Sequence, residues 1–272
     1  MSDEMSDELL RSELLSAIPG LSHGFSTRYG GVSEGAFASL NLKYPVNAQD
    51  EVGGDAHVAE NRRRLCTWLQ LPFEQLTAAQ QTHGRRVQLV TEAEAGRGAL
   101  RQQDGFEATD ALISDRAGIP LLVMVADCLP VLMADPVSRG FGAVHSGWRG
   151  VQQAIVPATI AALQQHYGTL PENLRLVIGP GIGFASFEVG PEVVAAFEGA
   201  FALDDAAVVQ PQGEKYRLNL PELVRRQALA AGVPDDQIAI LAADTLTDAR
   251  FFSYRRSVGV TGRQAGVIGW RE

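Results

Sequence analysis

What most constrains this chain is a crowding of short apolar runs in its middle third. "DALISD", "IPLLVMVADC", "PVLMAD" and "GFGAVH" follow one another between residues 110 and 145, bounded throughout by Gly, Pro or Asp. Their lengths and their Val, Ile, Leu and Phe content are strand signals. "RRVQLV", "LRLVIG" and "GRQAGVIGW" add three more strands outside that block. Helical spacing of apolar residues predicts a helix over 56–71, ending before Pro72. A second helix is expected over 151–168, kinked or started at Pro157 and stopped by Gly168. Two more fall in "PEVVAAFEGAF" and over 218–232. Strands cluster and helices do not alternate strictly with them, so the expectation is α+β and not a doubly wound parallel sheet. No repeat, low-complexity tract or linker divides the 272 residues, which read as a single domain, 1–272. Residues 1–20, acidic and polar, stand apart as a candidate mobile N-terminal segment.

The charge balance narrows the choice of partner. A net charge of -9, from 32 acidic and 23 basic residues, argues against nucleic acid or an anionic membrane. A local cluster of arginines can still hold a small anion. No apolar run approaches the roughly 18 residues that cross a bilayer, and the start lacks a secretory apolar core. A soluble, cytoplasmic protein is the expectation. Two cysteines cannot form a disulfide framework for a chain of this size. Cys66, inside a predicted helix, reads as a buried inert thiol.

Cys128 is different, because it ends one apolar run while His145 ends the next but one. "PVSR" between 131–135 and 141–145 is a turn sequence, and a hairpin about it places His145 opposite Val131 or Pro130. Cys128 then lies two or three residues beyond, roughly 7–10 Å along the strand, and a bend at Pro130 brings it closer. His83 in "QQTHG" also stands at an element end, where functional side chains collect. One cysteine and two histidines are a ligand set of catalytic zinc, which keeps its fourth position open. No CxxC or HExxH motif adds to that signal. Metal-free, Cys128 as nucleophile and His145 as base would make a hydrolase. Asp127, beside the thiol, either orients a ligand, acts as a base, or caps a turn. Arg149 in "HSGWRG" either grips an anion or pairs with solvent or a carboxylate. Trp148 reads as core, and "GPGIGF", without GxGxxG spacing, as a tight turn.

Taken together, "ADCLPVLMADP…GAVHSGWRG" with "QQTHG" upstream resembles the YfiH family, also called the laccase-like or multicopper polyphenol oxidase domain family. "FSTRYGGVSEGAFASLNL", "AENRRRL", "IGPGIGFASFEVG" and "FFSYRR…TGRQAGVIGW" extend the resemblance over nearly the whole chain. It implies a layered α/β/β/α fold with mixed sheets and a zinc ion held by His83, Cys128 and His145. It further implies purine nucleosides and phosphate as partners, with adenosine deaminase, purine nucleoside phosphorylase and methylthioadenosine phosphorylase activities in one site. Within that reading Asp127 joins the three ligands as a catalytic candidate. Arg28 and Arg149 suit phosphate, and Asn41 suits sugar or base. The older family name implies copper-dependent phenol oxidation. With 5 histidines the chain cannot fill a conventional laccase cluster, although a Cys/His site also takes copper. Gly181, Ala185 and Leu246 stand where many members carry cysteine, and "KYPVNAQDEVGGD" departs from the family pattern.

Overall fold

A computed structural model describes residues 7–45, 54–199 and 205–272. Among the described residues the strands are β1 (Leu9–Leu10), β2 (Leu21–Ser26), β3 (Thr77–Ala78), β4 (Val87–Leu89), β5 (Ala111–Ser114), β6 (Leu121–Val125), β7 (Leu129–Ala134), β8 (Phe141–Ser146), β9 (Arg175–Ile178), β10 (Glu188–Val189), β11 (Val209–Gln212), β12 (Lys215–Leu218), β13 (Ile238–Ile240) and β14 (Gln264–Trp270). The α-helices are α1 (Glu13–Ser16), α2 (Gly54–Leu69), α3 (Trp148–Gln152), α4 (Ile155–Tyr167), α5 (Pro191–Ala195) and α6 (Leu220–Ala230). They form an α+β fold with two large mixed sheets, ordered β1-β2-β14-β6-β3 and β13-β9-β7-β8-β5-β4, and a small sheet β10-β12-β11.

Side-chain alternation along the strands creates the layers. Leu121 and Val123 of β6 pack with Leu132, Ala134, Phe141 and Ala143 of the six-stranded sheet, so the two large sheets stack face to face. Leu122 and Met124 point the other way, onto Leu65, Cys66 and Leu69 of α2. Val131 and Met133 of β7 meet Ile155, Ile160 and Leu163 of α4 and Leu223 and Val224 of α6. The stack therefore reads helix, sheet, sheet, helix. Both faces of both sheets are covered, which is why "LLVMV" and "LPVLMA" carry no polar alternation. Each such side chain, fully buried, contributes roughly 1.5–3 kcal/mol.

Four details differ from the sequence expectation. From residue 7 the N-terminal stretch is packed, with β1 paired to β2 and Leu15 and Ile18 in the core. The helix expected over 151–168 is two helices. Ala154, at φ 60, breaks the chain between α3 and α4, and Pro157 falls in the first turn of α4, where its missing N–H costs no hydrogen bond. α5 stops at Ala195, well short of the expected span. β2, "LSHGFS", has no apolar run to announce it, yet it pairs with β14 along most of its length. Residues 46–53 of the divergent loop lie outside the described residues. Among the described residues no helix is long and apolar enough to cross a membrane.

Candidate metal centre

The expected hairpin is present, with Pro130 opposite His145. Cys128 lies just before β7, in the short turn Ala126–Cys128 that joins it to β6. The turn closes through Asp127, which adopts the left-handed region at φ 82 that Asp tolerates better than most residues. His83 enters from the segment before β4, itself left-handed at φ 63. The donor atoms of His83, Cys128 and His145 all lie within 4.8 Å of one another. The two imidazole rings stand nearly edge to face, 4.8 Å between centroids. Gly147 permits this approach: a Cβ there would sit 2.9 Å from Cys128 Sγ and 3.0 Å from His83 Cδ2.

One carboxylate organises the cluster. Asp110, fully buried ahead of β5, holds His145 Nδ1 at 2.7 Å through Oδ1. The same carboxylate accepts the backbone N–H groups of Thr82, His83 and Gly84, the last two at 2.9 and 2.8 Å. It therefore orients one ligand's ring and the loop that carries another. With Nδ1 engaged, His145 presents Nε2 to the cluster, the arrangement typical of a metal-ligating histidine. Burial pushes the Asp110 carboxyl up, but the hydrogen bond and charge of His145 and the backbone amides outweigh it and bring it down to about 2. Burial likewise opposes ionisation of Cys128 and His145. Each nonetheless favours charge in the other, so the thiol is lowered and the imidazole, held also by Asp110, is raised. Two imidazoles and a thiol drawn toward thiolate are a donor set that fits a borderline-soft divalent ion. Among the described residues no other group of three such side chains is brought this close.

A cavity of about 750 Å³ opens over the cluster. Gln81, Met124, Ile182 and Phe187 contribute to its wall, and four cationic side chains, Lys43, Arg149, Arg255 and Arg263, give it a basic character. Arg149 is exposed and stacks over Trp148 at 4.6 Å. Asp127 also lines the cavity. Its Oδ1 accepts from Thr245 Oγ1 at 2.7 Å and its Oδ2 from the Arg255 N–H at 2.8 Å, which fastens the loop bearing Tyr254 and Arg255.

Arg28 and Asn41 lie outside this wall. Arg28 donates through Nε to the Ala38 carbonyl at 2.8 Å and sits 4.8 Å above the Phe252 ring. Asn41 is buried, and its Oδ1 accepts the backbone N–H groups of Lys43 and Arg263 at 3.2 and 2.9 Å. It thereby braces two wall residues. Trp148 is half-buried against the core, and Cys66 is buried in the interior, its thiol pushed up to about 12 by burial. "GPGIGF" is a turn packed on the Asp127 backbone, with the Ile182 N–H donating to Asp127 O at 2.8 Å. Sequence reasoning missed Asp110, Lys43, Arg255 and Arg263. Asp110 alone left a signal, an acid at a strand start.

Residues 22–271 match the family described as multi-copper polyphenol oxidoreductase laccase. The chain is 35% identical over 252 residues to the purine nucleoside phosphorylase YlmD of Geobacillus stearothermophilus, covering 92% of this chain and 90% of that protein. It is 32% identical over 252 residues to adenosine deaminase RL5 of an unknown prokaryotic organism, with 92% and 94% covered. The crystal structure of YlmD from Geobacillus stearothermophilus matches the fold with a TM-score of 0.90 at 33% identity, covering 100% of this chain and 98% of that one.

Proposed function

The chain belongs to the multi-copper polyphenol oxidoreductase laccase family, the YfiH-type family its motifs resemble, and on that premise we propose that it is a zinc-dependent purine nucleoside enzyme. It would cleave adenosine, inosine and methylthioadenosine with phosphate and deaminate adenosine to inosine. The observation that carries this reading is a Cys128, His83 and His145 cluster beneath a cavity walled by four cationic side chains. One relative named a phosphorylase and one named a deaminase each align over nine-tenths or more of both chains, consistent with one site serving both reactions.

Zinc held by His83, Cys128 and His145, with Asp110 orienting His145, would supply Lewis acidity at the floor of the cavity. Everything else falls to the chain's own side chains. Lys43, Arg149, Arg255 and Arg263 attract phosphate and hold it for attack at C1′ of the ribose, while the bond from C1′ to the purine breaks. Ile182 and Phe187 offer the base an apolar wall. Asp127 has one donor on each carboxylate oxygen and keeps accepting capacity on both, so it is the wall carboxylate suited to carrying a proton to or from the purine. Arg28 and Asn41 serve this site through the segments they brace. A reduced thiol ligand agrees with a cytoplasmic location.

One further reading has an observation in its favour. Asp110, His145 and Cys128 stand in the order of an acid, base and nucleophile triad, which a metal-free hydrolase would use. Copper in the same three-ligand site, with phenol oxidation as its activity, rests on the family's description and the affinity of Cys/His sites for copper.

The test is chromatography and mass spectrometry of zinc-loaded protein incubated with adenosine, inosine or methylthioadenosine. Inosine is expected from adenosine without phosphate, and free base with ribose 1-phosphate or its methylthio counterpart only when phosphate is added. Cys128→Ala should lower both rates on the order of a thousandfold, since a metal Lewis acid is worth several kcal/mol. No turnover of any of the three nucleosides would overturn the reading. Hydrolysis that survives a chelator but not thiol alkylation would favour the triad instead, and phenol oxidation only after copper loading would favour the oxidase.

A further inference from the structure

The far end of the five-stranded sheet carries a second polar pocket, of about 370 Å³. β14 fixes its distance from the catalytic cavity. Arg263, just before the strand, lines the cavity, and Arg271, just after it, lines the second pocket. Eight residues of extended chain separate the two by roughly 26 Å. Arg11 and Arg271 bring two guanidinium groups to this pocket, and no carboxylate is among its described lining residues.

His23 adds a third donor. It is only 2% exposed, and its Nε2 accepts the Ser12 backbone N–H at 3.0 Å. A ring nitrogen that accepts carries no proton, so the neutral imidazole must carry it on Nδ1. Burial, reinforced by the charge of Arg11, pulls His23 down to about 4, and the ring is neutral at physiological pH. Among the described residues nothing accepts from Nδ1, in a ring that lines the pocket. Facing the open pocket, that N–H has only solvent to donate to, and an anion there would give it a stronger, charged acceptor.

The surroundings are arranged to suit that occupant. The C-terminal carbonyls of α2 would repel an anion, but Arg11 Nη2 covers the Trp68 carbonyl at 3.2 Å and Ser22 Oγ the Leu69 carbonyl at 2.6 Å. Arg271 spends one N–H on Gln70 Oε1 at 3.0 Å and has others to offer. Its backbone is pinned by a 2.9 Å bond from its own N–H to the Gly20 carbonyl, so the guanidinium hangs from fixed chain. We propose that this pocket is a second oxyanion site, which takes a phosphate-type group through Arg11, Arg271 and the Nδ1–H of His23. Two guanidinium groups and one neutral N–H suit a multiply charged oxyanion, either inorganic phosphate or the phosphoryl group of a nucleotide. None of the residues assigned to the metal centre takes part, so the site stands or falls apart from the proposed activity.

Calorimetric titration of the full, zinc-loaded chain at low salt tests it, with inorganic phosphate in one arm and adenosine 5′-monophosphate in the other. Two classes of phosphate site are expected. Arg11→Gln and Arg271→Gln, made separately, should each weaken one class about tenfold or more, the worth of a charge-assisted hydrogen bond. Arg149→Gln should weaken only the other class. Both pocket variants should match the parent in circular dichroism and unfolding midpoint, which shows that they fold. The Nδ1–H nitrogen resonance of His23 should move on phosphate addition in the parent and stay still in Arg271→Gln. Tighter binding of phosphate would identify the free ion as the ligand, and tighter binding of the monophosphate the nucleotide's phosphoryl group. A single class of site, removed by Arg149→Gln and unchanged in both pocket variants, would overturn the proposal, as would a His23 resonance that ignores both ligands.

Discussion

His145 and His23 line the pockets at opposite ends of β14, and they are equally buried, at 3% and 2% exposure. Burial opposes charge on both rings. At the cavity end, His145 has a carboxylate on Nδ1 and a thiol beside it, and its pKa is raised. At the far end, His23 accepts a backbone N–H and faces Arg11, and its pKa falls to about 4. The comparison shows that the partner decides the charge of a buried imidazole, while burial only makes that decision expensive. The surroundings of His145 gather acceptors and suit a cation. Those of His23 gather donors and suit an anion.

Removing the carboxylate should do most to erase the contrast. Asp110→Asn leaves His145 without its orienting charge and weakens the cradle for the backbone of residues 82–84. Zinc affinity, measured by competition with a chelator, should fall about 10- to 100-fold, the usual cost of losing a partner behind a metal ligand. Affinity equal to the parent's would mean that Asp110 does not set the ring.

The far end is sharpened by pH. His23 titrates near 4 when folded and near 6.5 when unfolded, so the unfolded chain binds more protons between those values. Its contribution is complete above pH 6.5 and is lost as pH falls toward 4. Between pH 7 and 5 that loss is about 2 kcal/mol. Urea unfolding at the two pH values should show His23→Gln to be less acid-sensitive than the parent by this amount. Asp110 does not confuse the window, because its own loss sets in only as pH falls through the ordinary carboxylate range, near 4, and runs on toward 2. Equal acid sensitivity in the two proteins would sink the assignment of a neutral ring.

Gly147→Ala is the smallest change and the most local. Its φ of -77 accepts alanine without strain, but the new Cβ presses on Cys128 and His83. A displacement of a few tenths of an ångström should weaken zinc by about tenfold, with the unfolding midpoint nearly unmoved. A large fall in stability with zinc affinity intact would show that packing, not ligand approach, keeps glycine there.

The candidate metal centre was legible because β7 and β8 are apolar runs flanking a recognisable turn, and of the two registers that turn allows the one with Pro130 opposite His145 is found. The bend that brings Cys128 in was not: it comes from left-handed Asp127, while Pro130, where a bend was expected, sits in regular register within β7. Nor was Asp110. In sequence it is only an acid at a strand start, and its task of accepting three amides 26 to 28 residues away exists only after folding. The basic wall was hidden for the same reason. Asn41 braces Arg263 across 222 residues, a pairing no local pattern encodes. β10 to β12 also escaped notice, since "VQPQ" and "KYRL" have no apolar run, although Val189, Val209 and Leu218 reach the core.

β14 sits between β2 and β6, and its residues pair with strands that precede it by more than a hundred positions on either side. On a ribosome the five-stranded sheet therefore stays split until residues 264–270 emerge. Up to that moment β2 and β6 each present an open hydrogen-bonding edge. The six-stranded sheet meets no such delay, because its partners arrive by residue 240. Synthesis thus yields the half that carries Cys128 and His145 first, and the strand that closes the other sheet last.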